Sequence, residues 1–390
     1  HSYLILVLFS PLLILFKSPI ILQTLQQVIL ILSSIIIFKI ALHFFKNLIP
    51  AFLFFLIFLL NPHLQYLLIY DFHPEIFSII FISSIFYFFI KKKFKPMTTL
   101  IFIAFLNKET LLPTLSLFLF YLFLKSKKKL LLFLSVFGIL YFCLINYYII
   151  PSFRNDNTML KNEYWQRYKH ILNNQNKEFF SSIINQPFKI FSIMKNSDSI
   201  EYYKNFYSNF GFISIFNILN YTAIPTLLIN SLSSSAPQKS IYYQYNPDLF
   251  IIIALSSILI LSYLFKIIKN KNYILFIIFL ILFINIFFNT TKSPFIVKNA
   301  PYQKIKPVKL TNSLIKNFSF IKTNNESICI DYRTSLILWN YKNIDFVLFE
   351  KNIFPEQKYL VYCILDIDDK YLQYFNSLLN SESYKIFYYE

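Results

Sequence analysis

Glycine occurs twice in 390 residues. No glycine motif of a nucleotide-binding unit is present, and the last 94 residues are too short for a catalytic dinucleotide-binding unit. Cysteine occurs three times, without zinc-type spacing. Cys143 lies in an apolar run and reads as a small buried hydrophobe, and Cys329 and Cys363 alone define no disulfide. Charge is scarce as well. Asp, Glu, Lys and Arg make up 14% of the chain, against roughly 25% in soluble domains. Acids are the scarcer sign, 19 against 37 basic residues.

Apolar side chains fill the space left by these absences. They form 56% of the chain, with 48 Phe and 29 Tyr, and the mean hydropathy is +0.52. A soluble fold cannot hide so much apolar surface, so an α-helical polytopic membrane protein is expected. The net charge of +18 arises from lysines gathered at the ends of apolar runs. That pattern marks cytoplasmic loops. It gives no basic, aromatic-interleaved soluble face, so membrane lipid is the expected partner and nucleic acid is not. The chain starts at His1 rather than Met and reads as a piece lacking an N-terminal part; no signal peptide is legible.

A helix needs roughly 17–25 apolar residues to span a bilayer. Spans are predicted at 20–42, 48–68, 75–90, 130–150, 248–265 and 273–289. The clusters "KKKFK" (91–95), "KSKKK" (125–129) and "KIIKNK" (266–271) fix the orientation as cytoplasmic. Residues 96–124 lie between two of them, so the chain must enter and return. Two short helices, 97–106 and 111–124, would meet at "NKETLLP". Parity also makes 152–210 an outer loop and denies 211–232 a full crossing. That segment should be re-entrant or a hairpin broken near Pro225, which requires a protein wall or an aqueous cavity beside it. Residues 1–296 thus form the transmembrane domain. Residues 297–390 read as a small extracytoplasmic α/β domain, with strands near 327–331, 344–350, 359–366 and 384–390 and helices at 310–318 and 368–380.

The stretch "DFHPE" opens the 75–90 span with Asp71, His73 and Glu75 around Pro74. Pro74 suits a first helical position, Asp71 can cap, and Glu75 favours the helix dipole. That bland account needs no function. Against it, "NKET" brings Lys108 and Glu109 to the same outer face, and "YYQYNP" brings Tyr245. Ionisable groups at membrane depth are costly and point to a site. Acids, one His and one Lys around one cavity suit a phosphate-bearing substrate, with a metal or a base held by carboxylates. His43 reads as a solvated end group. His63 is a weaker candidate, "YWQRYKH" (164–170) reads as an interfacial helix in which Trp165 and Arg167 can touch a glycan, and "NES" (325–327) matches a glycosylation sequon.

Those segments carry a resemblance. "HSYLILVLFSPLLILFKSPIILQTLQQ", "NPHLQYLLIYDFHPE", "FLNKETLLP" between basic clusters, "IPTLLINSLSSS…YYQYNP" and "IDFVLFE" together resemble the membrane proteins named domain of unknown function 2079. That family is grouped with GT-C glycosyltransferases, which use polyprenyl-phosphate sugars. The resemblance implies a GT-C-like fold in the cell membrane, with its site on the outer side and its first outer loop preceding His1. It maps a second acid to Asp71 and a lysine near lipid phosphate to Lys108. In the leading expectation, drawn from the residues themselves, Asp71 and Glu75 are catalytic and bind a divalent cation such as Mg (Asp71 as its ligand) or assist proton transfer, and His73, Lys108, Glu109 and Tyr245 bind substrate. A lipid or solute transporter or flippase, or a non-catalytic scaffold, are the rival expectations.

Overall fold

The computed structural model describes residues 4–16, 20–69, 71–152, 167–171, 185–297, 328–330, 346–348 and 359–361. Among the described residues the membrane part is built of helices: α1 (Ile5–Phe16), α2 (Ile20–Phe45), α3 (Leu48–Leu59), α4 (Pro62–Ile69), α5 (Pro74–Ile90), α6 (Phe94–Phe105), α7 (Leu111–Ser126), α8 (Lys129–Ile149), α9 (Pro187–Met194), α10 (Ser197–Tyr207), α11 (Ile224–Ser231), α12 (Pro247–Ile267) and α13 (Lys271–Lys292). Among the described residues α2, α8, α12 and α13 are each long and apolar enough to cross a membrane, and the α3–α4 pair makes a fifth if taken as one bent span.

Local chemistry sets the helix ends. Asparagine side chains accept from backbone N–H groups at the starts of α3 (Asn47), α10 (Asn196) and α13 (Asn270). Proline occupies the opening turn of α4, α5, α9, α11 and α12, where its missing N–H has no intrahelical partner to lose. Left-handed residues close several helices, a place usually given to glycine. In this chain lysines take it: Lys46, Lys92 and Lys127 have φ of 53°, 56° and 58°. Of the two glycines, Gly211 takes the same left-handed place after the 3-10 turn Ser208–Phe210, while Gly138 serves a close approach. A Cβ on Gly138 would stand 2.3 Å from Ser116 Oγ and 3.2 Å from a Phe105 ring carbon, so α8 lies close on α7 and α6. Ser135 Oγ donates to Ser116 O across the same contact, at 2.7 Å. Gly211 has φ +65° and faces Ile281 of α13.

The charged ends separate. Lys128 Nζ sits 4.0 Å over the Phe94 ring, joining two lysine clusters. His43, exposed at the end of α2, lies in the field of Lys46, Lys91 and Lys266. The starts of α5 and α12 and the α6–α7 turn therefore lie at the opposite end of the bundle. The predicted hairpin 97–106/111–124 corresponds to α6 and α7, each one or a few residues longer.

Backbone broken inside the apolar body is satisfied by side chains. The α3–α4 pair bends by 53° where Asn61 and Pro62 interrupt the ladder. The Leu60 carbonyl near this break accepts from Asn289 Nδ2 of α13 at 2.6 Å. Residues 208–223 run as 3-10 turns (Ser208–Phe210, Ile213–Phe216, Ile218–Ala223) before α11. Asn285 Nδ2 donates to Asn209 O there at 2.5 Å. Segment 211–232 is thus no single helix: the 3-10 turns give way near Pro225, which lies in the first turn of α11. Cys143 corrects its expectation: it is free and exposed on α8. In a membrane chain an apolar run gains its burial from lipid, so its residues need no protein neighbour.

α12 is the most enclosed long helix, with 67% of its apolar window buried against 28–39% for α2, α8 and α13. α13 turns Phe276, Phe279, Phe283 and Phe287 outward, the lipid-facing stripe of a peripheral span. Later in the chain, β1 (Ile328–Ile330), β2 (Phe346–Leu348) and β3 (Tyr359–Val361) form a parallel sheet in the order β2-β1-β3. The fourth strand and the helices expected at 310–318 and 368–380 lie outside the described residues.

Candidate functional site

Pro74 starts α5, so the residue at the cap position is His73, which makes no side-chain cap hydrogen bond. Asp71 stands before that position, exposed, and does not cap the helix. The backbone of the turn is instead held by Gln26 of α2. Its Oε1 accepts from His73 N at 3.1 Å, and its Nε2 donates to Leu67 O at 2.8 Å. Gln26 is fully buried, so this clamp fixes the "DFHPE" turn on the end of α4.

Glu75, one residue inside the helix, is buried and meets Lys108 from the α6–α7 turn. Lys108 Nζ lies 2.5 Å from Glu75 Oε1, with 5% and 7% of the two side chains exposed. His73 Nδ1 is 3.8 Å from Glu75 Oε2. Burial lowers the His73 pKa below its ordinary 6.5, against the opposing pull of Glu75. Glu109 is buried at the same turn.

A cavity of about 30 Å³ opens beside the ion pair, lined by Glu75, Lys108, Thr226, Asn230, Tyr245 and Asp248, among others. That is room for a water or a hydroxyl group rather than a sugar ring. Across it, Thr226 Oγ1 donates to Asp248 Oδ2, and Thr114 Oγ1 is 2.9 Å from Thr226 Oγ1. Asn246, just before α12, is fully buried. It accepts from Tyr202 OH at 2.6 Å and Asn230 Nδ2 at 2.8 Å, and donates to Gln238 O at 3.1 Å. The loop carrying Tyr245 is therefore pinned. The Tyr245 ring centre lies 5.8 Å from Lys108 Nζ and 5.8 Å from Arg167 Cζ. Arg167 belongs to a short turn held on α11, where its carbonyl accepts from Ser234 N at 2.8 Å and Tyr168 OH donates to Ile229 O at 3.0 Å.

Of the residues singled out from sequence, Glu75, His73, Lys108 and Tyr245 come together. Asp71, His73 and Glu109 flank the site and do not line the cavity. His63 is fully buried between the Phe206 and Phe250 rings, with Nδ1 2.6 Å from Ile241 O. Trp165 and the sequon lie outside the described residues. Among the described residues no three His, Cys, Asp or Glu side chains gather as a metal set. Glu75, the acid nearest Asp71 in the turn, already faces an ammonium, which would repel a divalent cation placed there. The residues present do not fit a metal at Asp71.

Gln26, Thr226 and Asp248 were not foreseen, whereas Arg167 belongs to the "YWQRYKH" stretch singled out from sequence. A signal for Asp248 exists: "NPD" at 246–248 repeats the polar-Pro-acid order of "HPE" at 73–75. Both place an acid one residue after a helix-starting proline, and both acids are buried. Gln26 carries no such signal, since one amide in an apolar run reveals nothing about its partner.

A family model described as predicted membrane protein (DUF2079) matches residues 1–336. The chain belongs to that family. The match covers every residue of the cavity and of the helices around it. No curated protein and no solved structure matches the chain.

Proposed function

We propose that this family member is a GT-C-like glycosyltransferase of the cell membrane, taking sugar from a polyprenyl-phosphate donor on the outer face. The observation that carries the reading is the buried Glu75–Lys108 ion pair lining a cavity at the end of the bundle away from the lysine clusters. Taking two charges out of water costs several kcal/mol per ion before their attraction repays it. A membrane chain that keeps such a pair at a cavity wall has a use for it.

In this reading Lys108 faces the donor phosphate, and Glu75 holds the ammonium in place. An ammonium carries three N–H donors and no acceptor, so it suits an anion. His73 hydrogen-bonds the donor, and Tyr245 offers a ring to the sugar, with Arg167 behind it. Asp71 and Glu109 act through the charge they place around the turn. The lysine ends lie in the cytoplasm, and residues 297–390 form a small α/β domain on the opposite side. The reaction uses no metal at Asp71. The bent α3–α4 pair favours one rival, a transporter or flippase that moves the lipid without breaking it.

The test is reconstitution of the full-length protein in liposomes with radiolabelled polyprenyl-phosphate sugars. Release of label to an acceptor, lost in Lys108→Met and kept in Asp71→Asn, is the expected result. Movement of intact labelled lipid between leaflets without transfer establishes the transporter. Equal behaviour of Lys108→Met and wild type removes the site.

A further inference from the structure

We propose that Asp248 is the base that takes the proton of the acceptor hydroxyl, with Thr226 and Thr114 holding its carboxylate in position. This rests on the glycosyl-transfer reading and gives the reaction a residue that the reading leaves unassigned. Among the described residues Glu75 and Asp248 are the carboxylates lining the cavity, and they differ in what they touch. Glu75 is closed by an ammonium at 2.5 Å, and a carboxylate beside a cation is a weaker base. Asp248 is held instead by the neutral Thr226 hydroxyl, which Thr114 supports in turn. A threonine chain fixes the direction of the carboxylate without adding a countercharge.

The position fits the chemistry. The cavity of about 30 Å³ admits a hydroxyl group between Asp248 and the Glu75–Lys108 pair. In the transfer step the acceptor oxygen bonds the anomeric carbon of the sugar while the bond from that carbon to the phosphate oxygen breaks. The electrons of the broken bond leave with polyprenyl phosphate, whose charge meets Lys108. The acceptor proton passes to Asp248, which returns it to water as product departs. Glu75 becomes a positioning residue for Lys108, and Asp71 has no part in the bond-making step.

Asp248 also sits in the first turn of α12, where an acid favours the helix dipole whatever else it does. Asp248→Asn separates the two roles, because Asn is isosteric and carries no basicity. The full-length protein in liposomes is assayed for transfer of labelled sugar, and separately for affinity toward a short-chain polyprenyl-phosphate sugar. The expected result is turnover down by about 100-fold or more in Asp248→Asn, the range of a lost general base. Donor affinity should stay within about threefold, and Thr226→Val should lose roughly tenfold in turnover, part of that same contribution. Wild-type turnover in Asp248→Asn overturns the assignment and leaves glycosyl transfer standing. Equal losses of affinity and turnover overturn it too, by making Asp248 a binding residue. If Asp248→Asn does not accumulate in the membrane, Thr226→Val decides, and unchanged turnover there overturns the proposal. A wild-type protein that transfers no sugar overturns this inference together with the reading beneath it.

Discussion

The two ends of the bundle use lysine in opposite ways. At one end Lys91, Lys92, Lys93, Lys95, Lys125, Lys127, Lys128 and Lys266 are exposed. Lys91, Lys125 and Lys128 lie over the rings of Tyr87, Tyr121 and Phe94, and Lys92 and Lys127 close helices in the left-handed conformation. At the other end Lys108 is buried, paired with Glu75 and set against the Tyr245 ring. The same side chain is solvated in one place and desolvated in the other, so residue type alone does not tell an anchor from a site. Its surroundings do. The first end acts through summed charge, which tolerates substitution. The second depends on one contact between the α6–α7 turn and the start of α5.

Breaking that contact should have the largest effect. Lys108→Met leaves a buried carboxylate without its ion, at a cost of about 3–5 kcal/mol. The double variant Lys108→Met/Glu75→Gln should regain most of it. Thermal unfolding in detergent measures both, and a Lys108→Met protein that melts like wild type would remove the contrast between the ends. Gly138→Leu comes next. It forces a side chain into the α7–α8 contact and should cost about 1–3 kcal/mol by overpacking. An unchanged melting curve would show that the hairpin is looser than the 2.3 Å approach to Ser116 implies.

His73 sharpens the comparison by pH. Its folded pKa lies below the ordinary 6.5, so the folded state binds fewer protons than the unfolded one as pH falls. Stability from this group is full above pH 6.5 and declines below it. His73→Gln should flatten the acid side of the stability profile slightly, whereas His43→Gln, at the exposed lysine end, should do so less. The reverse order would contradict the burial of the turn. The smallest change is expected at the lysine end itself. Lys127→Gly relieves a left-handed residue and should stabilise by up to about 1 kcal/mol, with orientation unchanged. A clear loss of stability would mean that the lysine makes a contact that its charge and φ do not account for.

Much of the membrane body was legible because lipid demands long apolar runs and lysine marks their ends. The short α6–α7 hairpin followed from parity between two basic clusters, and the irregular stretch 211–232 followed from the same counting. Burial inside the bundle was not legible. Cys143 and Phe250 both sit in apolar runs, yet one is exposed on α8 and the other enclosed on α12. A residue facing lipid and one facing protein obey the same preference, so composition does not separate them. The cap expected from Asp71 failed for a local reason: Pro74 moved the helix start past it.

By itself the sequence determined that this is a membrane protein, where most of its long apolar helices run, and which ends carry the positive charge. These follow from solvent transfer and chain length, which act on each segment alone. The sequence did not reveal α1 or the 53° bend between α3 and α4. Only the tertiary structure decided that Lys108 pairs with Glu75, that Gln26 clamps the "DFHPE" turn, and that Asp248 joins Thr226 and Thr114 across the cavity. Those contacts link separate segments of the chain. A polar group buried in an apolar body must find a partner, but the chain that requires the partner does not say which distant segment will supply it.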